Sequence, residues 1–152
     1  MAILSGVFAP FSITASALTA ERLRMDVISN NIANANTTRT LEGGPYVRQR
    51  VVFAPRLDAS PAFAPLLATM TPEGLPVGVR VTGIQKDPSP ARMVYDPGHP
   101  DANAEGYVAY PNVNEVNEFV DLISAQRSYE ANITVFNSTK SMALKALDIG
   151  RI

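Results

Sequence analysis

Two long stretches of the chain carry apolar residues at helical spacing, and a breaker-rich segment separates them. In the first, one stripe runs Phe11, Thr14, Leu18, Met25, Ile28, Ile32, Ala35, and a second runs Ile13, Ser16, Ala20, Leu23, Val27. At about 100° per residue these rows lie on different sides of one helix. A surface helix needs one apolar stripe, so two predict burial against neighbours on more than one side. The C-terminal stretch repeats the pattern. One stripe is Leu122, Ala125, Tyr129, Ile133, Phe136, Ala143, Leu147; the other is Val116, Val120, Ile123, Ala131, Val135, Met142, Ile149. The spacing predicts a helix over 113–149, capped by Asn112 with Glu115 three residues on, and stopped at Gly150.

The breakers give the same division. Residues 11–42 and 112–149 contain neither Pro nor Gly, and eleven of the 12 prolines lie from Pro45 to Pro111. Within the middle, "YVRQRVVF" and "PVGVRVTGI" alternate as strands do, and "RMVY" and "GYVAY" are shorter candidates. The expected fold class is therefore mainly α with a small β unit. Long N- and C-terminal helices form a coiled-coil-like pair, with a short-stranded antiparallel β unit between them. The expected division is an N-terminal helical arm at 1–36, a middle β unit at 37–111 and a C-terminal helical arm at 112–152. An Ala/Pro-rich insert at about 54–76 has no stable period and reads as a long loop.

The polar positions are unusual. "VISNNIANANTT" places Asn30, Asn31, Asn34 and Asn36 within seven residues and has no charge from Val27 to Thr38. A solvated helix face normally carries Lys and Glu. Uncharged amides suit a crowded contact that needs hydrogen bonds without the desolvation cost of a charge. Asn34 or Asn36 is also the natural end of the helix.

Charge and composition narrow the function classes. The formal net charge is -1, which provides no basic field for nucleic acid. Cysteine is absent and His99 is the single histidine, so thiolate and multi-histidine metal sites are excluded. No cofactor is expected. No run of 18 apolar residues predicts membrane insertion, and no basic residue precedes Arg22 to mark a cleaved leader. Asp96, Asp101 and Glu105 could be read as a hydrolase pair, but "YDPGHPDANAEG" is built of turn formers. His99 lies between Gly98 and Pro100 and reads as a loop residue; "EGGP" is a glycine turn without phosphate-loop spacing. Arg127 and Glu130 are three apart on one helix face, and Arg127 falls within the second apolar stripe.

"SALTAERLRMDVISNNIANANTT" resembles the N-terminal signature of the bacterial flagellar axial proteins of rod, hook and filament junction. "GPYVRQRVVF", "VYDPGHPDANAEGYVAYPNVNEVNE" and "LISAQRSYEANITVFNSTKSMALKALDIG" narrow that resemblance to subunits of the proximal rod. Two features depart from the family pattern. Ala17 stands where relatives often carry glycine, and the segment between Phe53 and Pro76 is longer and richer in proline.

The resemblance implies a structural, non-enzymatic subunit of the basal body's periplasm-spanning rod, exported without a cleaved signal peptide. It implies polymerisation into a helical tube that transmits torque. The implied partners are other rod proteins, further copies of the chain itself, the rod-base adaptor and the export gate. Subunit contacts are expected at Leu18, Leu23, Val27, Ile28, Asn30, Asn31, Ile32, Asn34 and Asn36 in the first arm. In the second they are expected at Val120, Ile123, Gln126, Arg127, Tyr129, Glu130, Asn132, Val135, Met142 and Leu147. On this reading Asn31→Asp or Asn34→Asp impairs incorporation more than secretion, and the arms order on docking. The alternative is a monomeric binding module in which the arms close into a helical hairpin.

Overall fold

The computed structural model describes residues 2–57 and 76–149. The element order is α1 (Ala2–Ala33), β1 (Gln49–Leu57), β2 (Pro76–Lys86), β3 (Arg92–Tyr95), β4 (Tyr107–Tyr110) and α2 (Glu115–Ile149). The chain is mainly helical, with two two-stranded sheets, β1–β2 and β3–β4, between the helices. The β1 and β2 strands run further than the alternation alone predicts, into both ends of the expected insert. Pro55 is tolerated in β1 because a two-stranded ribbon consists entirely of edges. The rest of the insert, 58–75, lies outside the described residues.

The first helix begins earlier than the breaker-free stretch suggests and contains Pro10. Proline there forfeits the hydrogen bond to the carbonyl four residues back, at Gly6. The helix ends at Ala33 through its amides. The Asn34 backbone N–H and its Nδ2 both donate to the Asn30 carbonyl (3.1 and 2.9 Å), and the Thr37 hydroxyl donates to Asn34 Oδ1. The second helix starts two residues later than expected. Asn114, not Asn112, is its N-cap: its Oδ1 accepts from the Asn117 N–H at 3.2 Å. Gly150, the expected stop, lies outside the described residues.

The described chain divides into two compact units, and each draws on both helical arms and the middle. The first comprises the early part of α1, the Phe53–Thr82 portion of the β1–β2 ribbon and α2 from Arg127 onward. In it Phe11 meets Phe136 edge to face, with centroids 5.1 Å apart. Ser16 of α1 lies against β2, where its hydroxyl accepts the Val79 N–H at 3.1 Å. Gly78 has φ +123, and a Cβ there would lie 2.5 Å from Ser16 Oγ, so this helix–strand approach requires glycine.

The second unit comprises 23–52 and 83–126. Its buried core includes Val27, Ile28, Ala35, Val108, Val113 and Ala125. Strands β3 and β4 pair antiparallel, with Arg92 opposite Tyr110 and Tyr95 opposite Tyr107; this turns Val94 and Val108 to one face and Tyr95 and Tyr107 to the other. The connecting loop is made by the residues considered for chemistry. Asp96 Oδ1 accepts the Gly98 N–H, and Asn103 Oδ1 accepts the N–H groups of Glu105 and Tyr107. His99 Nδ1 accepts the Asp101 N–H, while Asp101 Oδ2 accepts the Thr38 hydroxyl at 2.8 Å.

Candidate subunit interface

The centre of the second unit is polar. Asn31 is 1% exposed and uses its whole amide within the chain. Its Nδ2 donates to the Gln49 carbonyl (2.7 Å) and to Glu118 Oε2 (2.9 Å), and its Oδ1 accepts the Gln49 N–H and the Tyr46 hydroxyl, both at 2.9 Å. Glu118, also 1% exposed, accepts the Arg48 Nε–H through its other oxygen at 2.6 Å. The guanidinium of Arg48 reaches Asp87 and Asp121 as well, both at 3.5 Å. Partial burial works against the charge of Arg48, but the Glu118 hydrogen bond and the two neighbouring carboxylates outweigh it and hold its pKa above the usual value. Loss of solvent, with the Glu118 charge adding to it, raises the Tyr46 pKa and keeps its hydroxyl protonated as a donor. Asn112 completes the set. Its Oδ1 accepts the Arg48 N–H, and its Nδ2 donates to the carbonyls of Asp87 and Ser89. In this unit α1 and α2 run antiparallel, with Asn31 against Glu118 and Arg24 near Asp121.

These contacts redirect part of the expected interface. Val27, Ile28 and Asn31 are buried inside the chain, so they are occupied by its own fold. An Asp at position 31 would confront the Glu118 carboxylate within the chain, which makes Asn31→Asp a folding lesion. Leu18, Leu23, Ile32 and Asn34 are half-buried, while Asn30 and Asn36 are exposed. Asn36 Nδ2 donates weakly to Glu115 at 3.4 Å. The asparagine cluster therefore splits between one buried bracket, one helix end and two exposed amides.

On α2 the division runs by face. The inward positions Glu118, Leu122, Ala125, Tyr129, Asn132, Phe136, Thr139 and Ala143 alternate in steps of four and three, the period of a coiled-coil seam. Hydrophobicity alone would put Ile133 in place of Asn132, pass over Thr139 and extend the row to Leu147. The polar pair fits because each bonds its own helix: Asn132 Nδ2 donates to the Ser128 carbonyl and the Thr139 hydroxyl to the Val135 carbonyl. Ile133 and Leu147 are exposed instead. The second apolar stripe lies open along its length: Val116, Val120, Ile123, Val135, Met142 and Ile149 are between 51% and 74% exposed. Phe119 lies open beside it. Gln126, Arg127 and Glu130 are exposed too; Tyr129 and Asn132 are half-buried.

Among the described residues no cluster of three or more His, Asp or Glu could hold a metal, and no helix is long and apolar enough to cross a membrane. What the fold presents is a helix with one apolar face packed and another bare.

Known proteins match this chain nearly end to end. A family profile described as "Flagella basal body rod protein" matches residues 11–39, and one described as "Flagellar basal body rod FlgEFG protein C-terminal" matches 104–149. The flagellar basal-body rod protein FlgC of Borreliella burgdorferi is 52% identical over 95% of this chain and 97% of its own length. The FlgC proteins of Bacillus subtilis and Salmonella typhimurium are 47% and 42% identical, over 95% and 93% of this chain and 98% and 96% of their own lengths. The two profiles fall on the two helical arms, and the full-length matches carry through the β unit between them. With identities of this size over almost the whole length, the chain belongs to the FlgC family of flagellar basal-body rod proteins and is a structural subunit of the basal-body rod.

Proposed function

We propose that this rod subunit occupies the proximal rod and polymerises with other rod proteins and with itself into a helical tube that transmits torque. The observation that carries this reading is the bare second stripe of α2. A row of exposed apolar residues about 50 Å long is costly in water and needs another chain to cover it. A contact that joins unlike surfaces without closing gives an open helical array. Helices sharing apolar seams with several neighbours resist twisting. The same bare stripe speaks against the closed-hairpin module, whose arms would satisfy each other.

Three further parts of the proposal rest on the family resemblance. The subunit is exported without a cleaved leader, lies in the periplasm-spanning part of the rod, and meets the rod-base adaptor and the export gate. Its role is mechanical rather than catalytic: Asp96 and Asp101 serve the β3–β4 loop and its contact with Thr38. Expected contact positions are the exposed members of the set: Asn30 and Asn36 on the first arm, and Val120, Ile123, Gln126, Arg127, Glu130, Val135, Met142 and Leu147 on α2.

The test is Val120→Asp with Ile123→Asp. The double variant is expected to keep the circular dichroism and melting of the parent and to be exported, yet to leave cells without completed rods and non-motile. Normal rods and swimming in that variant would sink the proposal.

A further inference from the structure

The two compact units carry opposite charge. Among the described residues the first holds six Lys and Arg against three Asp and Glu; the second holds six against nine. Over those residues alone the first unit is net +3 and the second net −3, in a chain whose formal charge is -1. Within the second unit, Arg48 and Arg24 are taken up by Glu118, Asp87 and Asp121, Arg39 faces Asp101, and Lys86 pairs with Glu42. This pairing leaves the exposed Asp26, Asp96, Glu105 and Glu115 uncompensated apart from Arg50 and Arg92.

The same polarity runs along the bare stripe of α2. From Glu115 to Gln126 the helix has three carboxylates and no cation; Glu118 and Asp121 are held by Arg48 and Arg24, Glu115 is exposed, and the open row is Val116, Val120 and Ile123. Beyond Thr139 the open positions Met142 and Ile149 are accompanied by the exposed Lys140 and Lys145 and by one exposed carboxylate, Asp148, which leaves the segment net positive. The helix dipole does not account for those lysines, because the last turn of α2 has no basic residue.

We propose that a second copy of this chain covers the acidic end of the stripe: the Lys140–Ile149 segment of one α2 docks on the Val116–Ile123 row of the next. The apolar rows exclude water, and Lys140 and Lys145 approach the rim marked by the exposed Glu115. Charge complementarity sets the direction, because acid-to-acid and base-to-base pairings repel. The contact joins unlike ends, so it propagates instead of closing. This inference rests on the rod-subunit reading and adds to it which end meets which.

The chain has no cysteine, so introduced thiols are unambiguous. Val120 and Met142 are both more than 60% exposed, and a thiol at either leaves the fold intact. Chains bearing Val120→Cys and Met142→Cys are mixed under mild oxidation. The mixed disulfide is expected to exceed either homodimer and to fall about tenfold as salt rises and screens the rim charges. Adding Lys140→Glu and Lys145→Glu to the Met142→Cys chain is expected to suppress it, and Glu115→Lys on the Val120→Cys chain to restore part of it. A preference for either homodimer, or a yield indifferent to salt and to charge reversal, overturns the inference. The rod-subunit reading is checked separately by incorporation of the parent chain into rods of cells lacking their own copy. Incorporation without the mixed disulfide removes only the inference, whereas failure to incorporate removes both.

Discussion

The two long helices begin from the same pattern and end in opposite situations. Each carries two apolar stripes, and in each one stripe packs on the other helix. On α1 the second stripe is covered as well: Ala20 and Val27 are buried, Ser16 meets β2, and only Ile13 stands open. On α2 the second stripe is exposed among the described residues. Two stripes therefore do not by themselves mean two foreign neighbours. The β unit of the same chain serves as the second neighbour of α1, while the second face of α2 is exposed. The asparagines follow the same logic. Asn31 is spent where helix, helix and strand converge, at a point where a charge of either sign would disturb the pairing of Arg48 with Glu118.

The contrast can be broken from the α1 side most strongly at the buried polar set. Arg48→Met leaves the Glu118 carboxylate buried without its cation and is expected to cost about 3 kcal/mol, read as a shift in the urea midpoint. Gly78→Ala attacks the cover of the second α1 stripe. The added Cβ would collide with Ser16 Oγ at a positive φ, and a loss of about 2 kcal/mol is expected, with faster hydrogen exchange at Val79. Asn114→Ala removes only the α2 cap and is expected to cost about 1 kcal/mol in thermal melts.

A smaller effect comes from Tyr46. Its folded pKa lies above the usual 10.0, so the stability it contributes is complete below pH about 10 and is lost as pH rises through the folded value. The parent is expected to weaken above pH 10 more steeply than Tyr46→Phe, as followed by denaturation at stepped pH. At the far end, Val135→Ser on the bare stripe is expected to change folding by less than about 0.5 kcal/mol while reducing rod assembly. A large folding loss there would mean that the stripe is not bare.

The helices, the four strands and the turn role of the Asp96–Glu105 loop were legible because each rests on local signals: period, breakers and turn chemistry. The inward seam of α2 was only partly legible. Asn132 and Thr139 look like surface residues until their side chains are seen bonded back to the carbonyls of their own helix. The cap moved from Asn112 to Asn114 for a related reason. Both are competent caps, but Asn112 is recruited by Arg48, Asp87 and Ser89, residues remote in sequence.

The sequence by itself determined that there are two two-striped helices around a β unit, that the composition offers no thiolate chemistry, and that the arms carry the signature of flagellar axial proteins. Periodicity and composition are local quantities, and they survive without knowledge of the partners. Only the tertiary structure decided which of the four stripes remains open, and which asparagine is a buried bracket. Those outcomes depend on whether β2 approaches α1 at Gly78, and on Arg48 and Glu118, seventy residues apart in the chain, meeting beside Asn31. Burial is a property of pairs of surfaces, and a single strand of letters records only one member of each pair.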